Sequence, residues 1–199
     1  MDLKIFDVEH GACALLTCDN GARLMIDCGH NASNGWYPGT YLTGQGISQI
    51  EALAITNYDE DHVSGIANLF INVHVLSLYR NPSVSAETIY KLKSDTGVGP
   101  GIRFLGERIK NTFTGGLADE SVFQGLEIWY HYNQYPYFDD ENNLSFVIFL
   151  KCCGVGVLFP GDVEGAGWRS FDGNPRIYHP ARRYQRFSGL TSWPTKRLV

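Results

Sequence analysis

The stretch AITNYDEDHVSG, residues Ala54 to Gly65, sets four side chains of ligand type within six positions: Asn57, Asp59, Asp61 and His62. It follows a short apolar run, Leu53 to Thr56, that reads as a buried strand. It leads into an apolar periodicity from about His62 to Phe70 that reads as a helix. A loop between a buried strand and a helix start points alternate side chains into one pocket, and the strand holds it rigid. Carboxylates packed this closely repel one another unless a cation neutralises them. A divalent metal is the natural partner. The other reading is an exposed acidic turn with an aspartate capping the helix.

A second cluster, LFPGDVEG from Leu158 to Gly165, ends an apolar strand in Gly161-Asp162 and sets a carboxylate at the strand's C-terminal edge. Gly-Asp turns are common, so Asp162 gains meaning only beside the first cluster. Around the two clusters the chain alternates. Leu3 to Thr17 is β-like, broken at Gly11, and Arg23 to Asp27 return after a turn at Gly21. Residues 29 to 47 read as loop. Val73 to Leu78 reads as a strand and Ala86 to Lys93 as a helix. Residues 94 to 120 are turn-rich, with one helix around Arg103 to Lys110. Leu126 to Tyr132, Leu144 to Lys151 and Val155 to Phe159 read as strands, the last two as a hairpin around Cys153-Gly154. Mixed strands and helices predict a layered α/β or α+β domain. A single parallel sheet of Rossmann type is disfavoured, because no Gly-rich phosphate loop follows the first strand and hairpins are expected at both ends.

The 199 residues amount to about one domain. With 44% apolar and 13% aromatic residues the chain is expected to be ordered. The net charge of −5 argues against a globally basic nucleic-acid binder. No stretch approaches the roughly 18 apolar residues of a membrane span, and the start MDLKIFDVEH lacks the pattern of a secretory leader. Cys13, Cys18, Cys28, Cys152 and Cys153 form no CxxC pair. They read as buried free thiols of a reducing cytosol, with Cys152 and Cys153 on a strand that buries small apolar side chains. The expected location is therefore cytoplasmic.

Read in order, these segments resemble the metallo-β-lactamase fold hydrolases, and within them the branch like the soluble domain of the ComEC competence proteins. That superfamily's signature is HxHxDH, and the competence-like branch tends to HxDxDH. Here it stands as Asn57-Tyr-Asp59-Glu-Asp61-His62. FDVEHGACALL resembles the branch's DVGQGDA-type first strand, LMIDCGH its strand ending in Asp-x-Gly, and ENNLSFVIFL with VLFPGD its NxxS-strand-GD hairpin. The resemblance covers residues 1 to about 168. It implies an α/β fold, an αββα sandwich of two mixed sheets, incomplete at the C-terminus. By position, Asp61 and His62 would serve a second metal, Asp162 would bridge, and Asn57 and Asp59 would form a depleted first site. An oxygen-rich donor set favours Mn²⁺ or Mg²⁺ beside Zn²⁺, as one or two ions. The family also needs a late His in a Ser-His-His-Gly-like stretch, and this chain has none.

The resemblance implies a metal-dependent hydrolase in which Asp61 both ligates and orients the attacking water. A phosphodiester or nucleic-acid-type substrate is favoured, and small esters and thioesters also suit this fold. The contrasting reading is a degenerate, metal-poor member that only binds a nucleotide or a protein partner. His10 and His30 sit in loops that would lie near the pocket, where they would touch substrate or metal or simply pack. His74 and His131 read as structural. The aromatic run Trp129 to Phe138 reads as an edge strand with its covering loop, or as a platform for stacking a base.

The charge pattern changes near Trp168. Residues 1–168 carry nine Lys and Arg against 20 Asp and Glu, a net of −11, whereas 169–199 carry seven against Asp172 alone, a net of +6. Residues 169–199 therefore read as an anomalous basic tail, frameshifted from about Phe171. Written as GGC CTC ACA TCA TGG CCG ACA AAA CGG, Gly189 to Arg197 becomes ASHHGRQN when read from the second base, which is the late motif otherwise missing. A genuine basic arm is the other reading. On the frameshift reading the chain binds metal weakly and shows little activity.

Overall fold

A computed structural model describes residues 1–114 and 120–173. Its elements run β1 (Asp2–Ile5), β2 (Cys13–Thr17), β3 (Arg23–Cys28), α1 (Pro38–Gly44), β4 (Gln49–Ile50), β5 (Ala52–Ala54), α2 (Glu60–Val63), α3 (Ile66–Asn72), β6 (His74–Val75), β7 (Leu78–Tyr79), α4 (Ala86–Leu92), α5 (Pro100–Asn111), β8 (Glu127–Tyr132), β9 (Phe146–Cys152), β10 (Val155–Phe159) and α6 (Gly165–Gly173).

The architecture is mixed α/β. Five strands lie in the order β1-β2-β3-β5-β7, and three in the order β10-β9-β8. In the larger sheet β1, β2 and β3 are antiparallel neighbours, while β3, β5 and β7 run parallel. Parallel neighbours need crossovers, and α1, α2 and α3 supply them. The smaller sheet, expected to be mixed like the larger, is antiparallel throughout its described strands, which hairpin-type neighbours produce.

Strand alternation divides the core. Ala14, Leu16, Leu24, Ile26, Ala52 and Ala54 form one face of the larger sheet and share a buried cluster with Ile128, Tyr130, Phe146, Ile148 and Leu150 of the smaller sheet. Alanines on one side leave room for aromatics on the other, and Tyr130 stacks on Phe146 at 4.8 Å between ring centroids. The opposite face, with Leu15, Met25 and Leu53, packs against Leu42 of α1, Ile66 and Leu69 of α3, Ile89 of α4 and Ile102 and Leu105 of α5.

Several local expectations shift. The loop expected over residues 29–47 contains α1, started by Pro38 at a first-turn position where a missing N–H costs nothing. The single helix expected from His62 to Phe70 is two helices, parted where the Gly65 N–H turns to the Cys28 carbonyl at 2.8 Å. The strand expected from Val73 to Leu78 divides between two sheets, β6 pairing with β4 and β7 with β5. The helix expected at Arg103–Lys110 extends to Pro100 and Asn111. In the aromatic run, β8 is an edge strand with Tyr130 fully buried. Cys13, Cys18 and Cys28 are buried free thiols. Cys152 is half-buried and Cys153 exposed, in the turn between β9 and β10, so the buried reading fails for that pair. His74 is exposed and His131 is buried.

The boundary expected near residue 168 falls within α6, and Phe171 packs on His131 with ring centroids 5.5 Å apart. The tail expected from there lies outside the described residues beyond position 173. Among the described residues, no helix is long and apolar enough to cross a membrane.

Candidate functional site

The site begins with a strained residue. Asp27, near the end of β3, has φ of +54°, a conformation that costs a non-glycine residue about 1–3 kcal/mol unless its surroundings hold it. Here they do. Its carboxylate accepts hydrogen bonds from the Thr56 N–H at 2.7 Å and from the Thr56 hydroxyl, and it pairs with His62 Nδ1 at 2.9 Å. The Thr56 carbonyl accepts from the Phe146 N–H at 2.7 Å, so the chain just past β5 is joined to the first residue of β9 at this point.

Asp162 arrives from the other sheet. Its backbone N–H donates to Ser145 Oγ at 3.1 Å, and the same oxygen accepts from Asn57 Nδ2 at 3.1 Å. Gly161, at φ +56°, permits this approach. A Cβ there would lie 2.9 Å from the Thr56 carbonyl oxygen and 3.0 Å from Ser145. Asp162 Oδ2 then stands 3.2 Å from His62 Nε2.

His62 is therefore bracketed by two carboxylates, one on each ring nitrogen. Burial pulls its pKa down, but the hydrogen bonds and charges of Asp162 and Asp27 outweigh burial and raise it to about 10. The same hydrogen bond from His62 lowers the pKa of Asp162. Asp27 is 2% exposed as a side chain, whereas Asp162 is 41% exposed and faces the solvent side.

Asp59 goes elsewhere. Its carboxylate pairs with the ammonium of Lys93, which also donates to Glu141 at 2.7 Å. Asp59 occupies the cap position of α2 without capping it, so the acidic-turn reading is not what its side chain does. Glu60 instead accepts from the Gly101 and Ile102 N–H groups at the start of α5, at 2.8 and 3.1 Å. Asn57 accepts from the Asp59 N–H at 2.8 Å, and its amide donates to Ser145 and Asn142. The Asp61 carbonyl is seated against Gly29, where a side chain would collide with it. The Asp61 carboxylate has no hydrogen bond or ion pair among the described residues. His30 contacts Ser64 Oγ at 2.7 Å through Nδ1 and stacks on Tyr37 at 4.7 Å. His10 is exposed in the turn after β1. An open cavity of about 440 Å³ lies beside Asp59, between Glu60, Lys93 and residues 96–99.

The expected metal-side residues thus come together only in part. His62 and Asp162 form a donor pair, Asp59 is neutralised by Lys93, and Asn57 is spent on Ser145. Among the described residues no group of three or more His, Cys, Asp or Glu side chains is arranged to hold an ion. A catalytic zinc site uses three protein ligands. As placed, the residues present do not fit a two-ion centre. Asp27 lies in LMIDCGH, whose Asp-x-Gly ending is the signal in the sequence that marks it. Thr56, Ser145, Lys93 and Glu141 carried no spacing signal of their own.

No family model matches the chain. A curated protein, the Anti-Pycsar protein Apyc1 of Bacillus phage BSP38, is 24% identical over 159 residues, which is 73% of this chain and 59% of that protein. The chain thus spans about three-fifths of the length of this relative. A solved structure from Thermotoga maritima, assigned to the metallo-beta-lactamases, aligns with a TM-score of 0.49 at 16% identity, covering 88% of this chain and 92% of that one.

Proposed function

We propose that this chain is a hydrolase domain of metallo-β-lactamase type directed at a phosphodiester, of small-nucleotide or nucleic-acid kind, and that its described residues make only part of a metal centre. The supporting observation is the meeting of Asp27, His62 and Asp162 at one imidazole. They come from three separate motif segments, in the order that the sequence resemblance requires. A divalent ion, Zn²⁺, Mn²⁺ or Mg²⁺, would need His62 Nε2 and Asp162 together with further ligands, and when bound would supply hydroxide at neutral pH and polarise the scissile group.

The chain's own residues define the rest. Asp27 orients the ring through Nδ1 and leaves Nε2 toward the exposed Asp162. Without an ion, a protonated ring between the carboxylates offsets part of the negative charge that a phosphodiester would meet, and an ion on Nε2 would take the place of that proton. Asp61, whose carboxylate has no partner among the described residues, is the group proposed to orient the attacking water. His10 and His30 are the proposed substrate-side residues. The likeness to the Anti-Pycsar protein puts cyclic nucleotides first among the phosphodiesters to test.

The test is hydrolysis of cyclic mononucleotides, bis(p-nitrophenyl) phosphate and single-stranded oligonucleotides by the 199-residue chain, with and without Mn²⁺, Zn²⁺ or Mg²⁺. Slow metal-dependent turnover that Asp61→Ala and Asp162→Ala abolish, with circular dichroism unchanged, is expected. The ion pair of Lys93 with Asp59 favours a second reading, a metal-poor binding module. Nucleotide binding without hydrolysis, by a chain that stays metal-free in excess Mn²⁺ and Zn²⁺, would establish that reading and refute the first.

A further inference from the structure

We propose that Lys93 is the resident cation of the Asp59 half of the site. Its ammonium takes the charge-neutralising place of a divalent ion and closes that half to metal. The inference rests on reading Asp59 as a metal-side position.

The problem posed by the sequence is electrostatic, since carboxylates crowded into one loop need a cation. The fold answers it with a side chain. The Lys93 side chain is 4% exposed and lies between Asp59 and Glu141, themselves 34% and 25% exposed. An ammonium is a compact charge with three donors, and the two acids engage it from two separate chain segments. The lysine is also anchored. It caps the C-terminus of α4, its N–H donates to the Ile89 carbonyl at 3.1 Å, and its own carbonyl accepts from the Gly97 N–H at 2.8 Å. Ser85 caps the other end of that helix through the Thr88 N–H.

Access does not explain the exclusion of metal. The cavity of about 440 Å³ opens on Asp59 and Lys93, so a small ion reaches the carboxylate from solvent. Once there it would sit against the ammonium, and like charges at that separation repel strongly away from bulk water. An ion can bind only by displacing Lys93 from both acids. An ordinary buried ion pair predicts instability when the lysine is removed. A resident cation predicts, in addition, that a divalent ion restores what was lost.

The experiment uses the whole chain and MnCl₂ as probe, reading thermal midpoint and bound Mn²⁺ by electron paramagnetic resonance. Wild type should show the same Mn²⁺-induced shift in midpoint, and the same Mn²⁺ stoichiometry, as Asp59→Asn. Lys93→Met should melt on the order of 10 °C lower without metal. It should regain most of that in Mn²⁺ and bind one additional ion, and Asp59→Asn in the same background should abolish the extra ion. If Lys93→Met folds only when Mn²⁺ is present, the inference is likewise supported. The triple variant Lys93→Met, Asp59→Asn, Glu141→Gln should then fold without metal and ignore it. A Lys93→Met protein that loses stability and recovers none in Mn²⁺ overturns the inference. So does a wild-type chain whose bound Mn²⁺ disappears with Asp59→Asn. No substrate is used, so failure of the hydrolase reading leaves this result standing, and the reverse holds too.

Discussion

His62 Nδ1 lies 2.9 Å from Asp27 Oδ2, with both side chains buried, and the carboxylate that holds the ring is itself held by Thr56. One buried charge pair therefore joins the end of β3, the chain after β5 and the start of α2. Its backbone strain, its hydrogen bonds and the orientation of the histidine depend on one another.

Asp27→Asn tests that dependence. An amide can still accept from the Thr56 N–H, but its NH₂ faces a hydroxyl and a ring N–H that both need an acceptor. Breaking one partner of a buried pair costs about 3–5 kcal/mol. The expected outcome is a loss of roughly that size in urea denaturation, with a lower His62 pKa by NMR titration. A loss within about 0.5 kcal/mol would show that the pair does not hold the site together.

Gly161→Ala should disturb the meeting of the sheets. The position has φ +56° and no room for Cβ beside Thr56 and Ser145. Gly154 supplies the control, because it has φ +79° but open space around it. Gly154→Ala should cost about 1 kcal/mol from backbone conformation alone. Gly161→Ala should exceed it by about 1–3 kcal/mol, the ordinary cost of overpacking. Equal losses in chemical denaturation would mean that the Asp162 loop gives way freely.

Stability should peak between two histidine titrations. Burial lowers the His131 pKa to about 4, against 6.5 for an unfolded imidazole. Between those values the unfolded chain binds more protons, so stability falls as pH drops from about 6.5 to 4, by on the order of 3 kcal/mol in all. His62 behaves oppositely. Its raised pKa of about 10 means that its contribution is complete below about 6.5 and is lost as pH rises through 10. Thermal midpoints measured from pH 4 to 10 should show both limbs. His131→Gln should flatten the acid limb and His62→Gln the alkaline one. Limbs unchanged in these variants would assign the pH dependence to other groups.

Much of the fold was legible because it depends on local pattern. The apolar runs at Arg23 to Asp27, Leu53 to Thr56 and Leu144 to Phe159 alternate or cluster as strands must, and each contains strand, although β5 stops at Ala54 and leaves Ile55 and Thr56 beyond it. What failed was punctuation set by distant contacts. Ser64-Gly65 is only a weak local break, and what parts α2 from α3 is the hydrogen bond from Gly65 to Cys28, while Val73 to Leu78 looks like one strand because both halves are apolar. Helix α1 was hidden in a stretch rich in Gly and Asn, where packing of Trp36 and Tyr41 on Phe6 outweighs weak helix propensity.

For the site, the sequence by itself determined which chemical groups are present and in what order: Asn57, Asp59, Asp61 and His62 after a buried strand, and Asp162 after another. It could not determine how their charges are satisfied. Asp27 is 35 residues from His62, Asp162 is 100, and Lys93 is 34 from Asp59. Spacing along the chain carries no information about which of these comes within 3 Å of another. Only folding removes the water that would otherwise solvate Asp27, His62 and Lys93 separately. Where that water is gone each buried charge needs an opposite one, and the tertiary structure decides that the buried His62 takes Asp27 and Asp162 while the buried Lys93 takes Asp59 and Glu141.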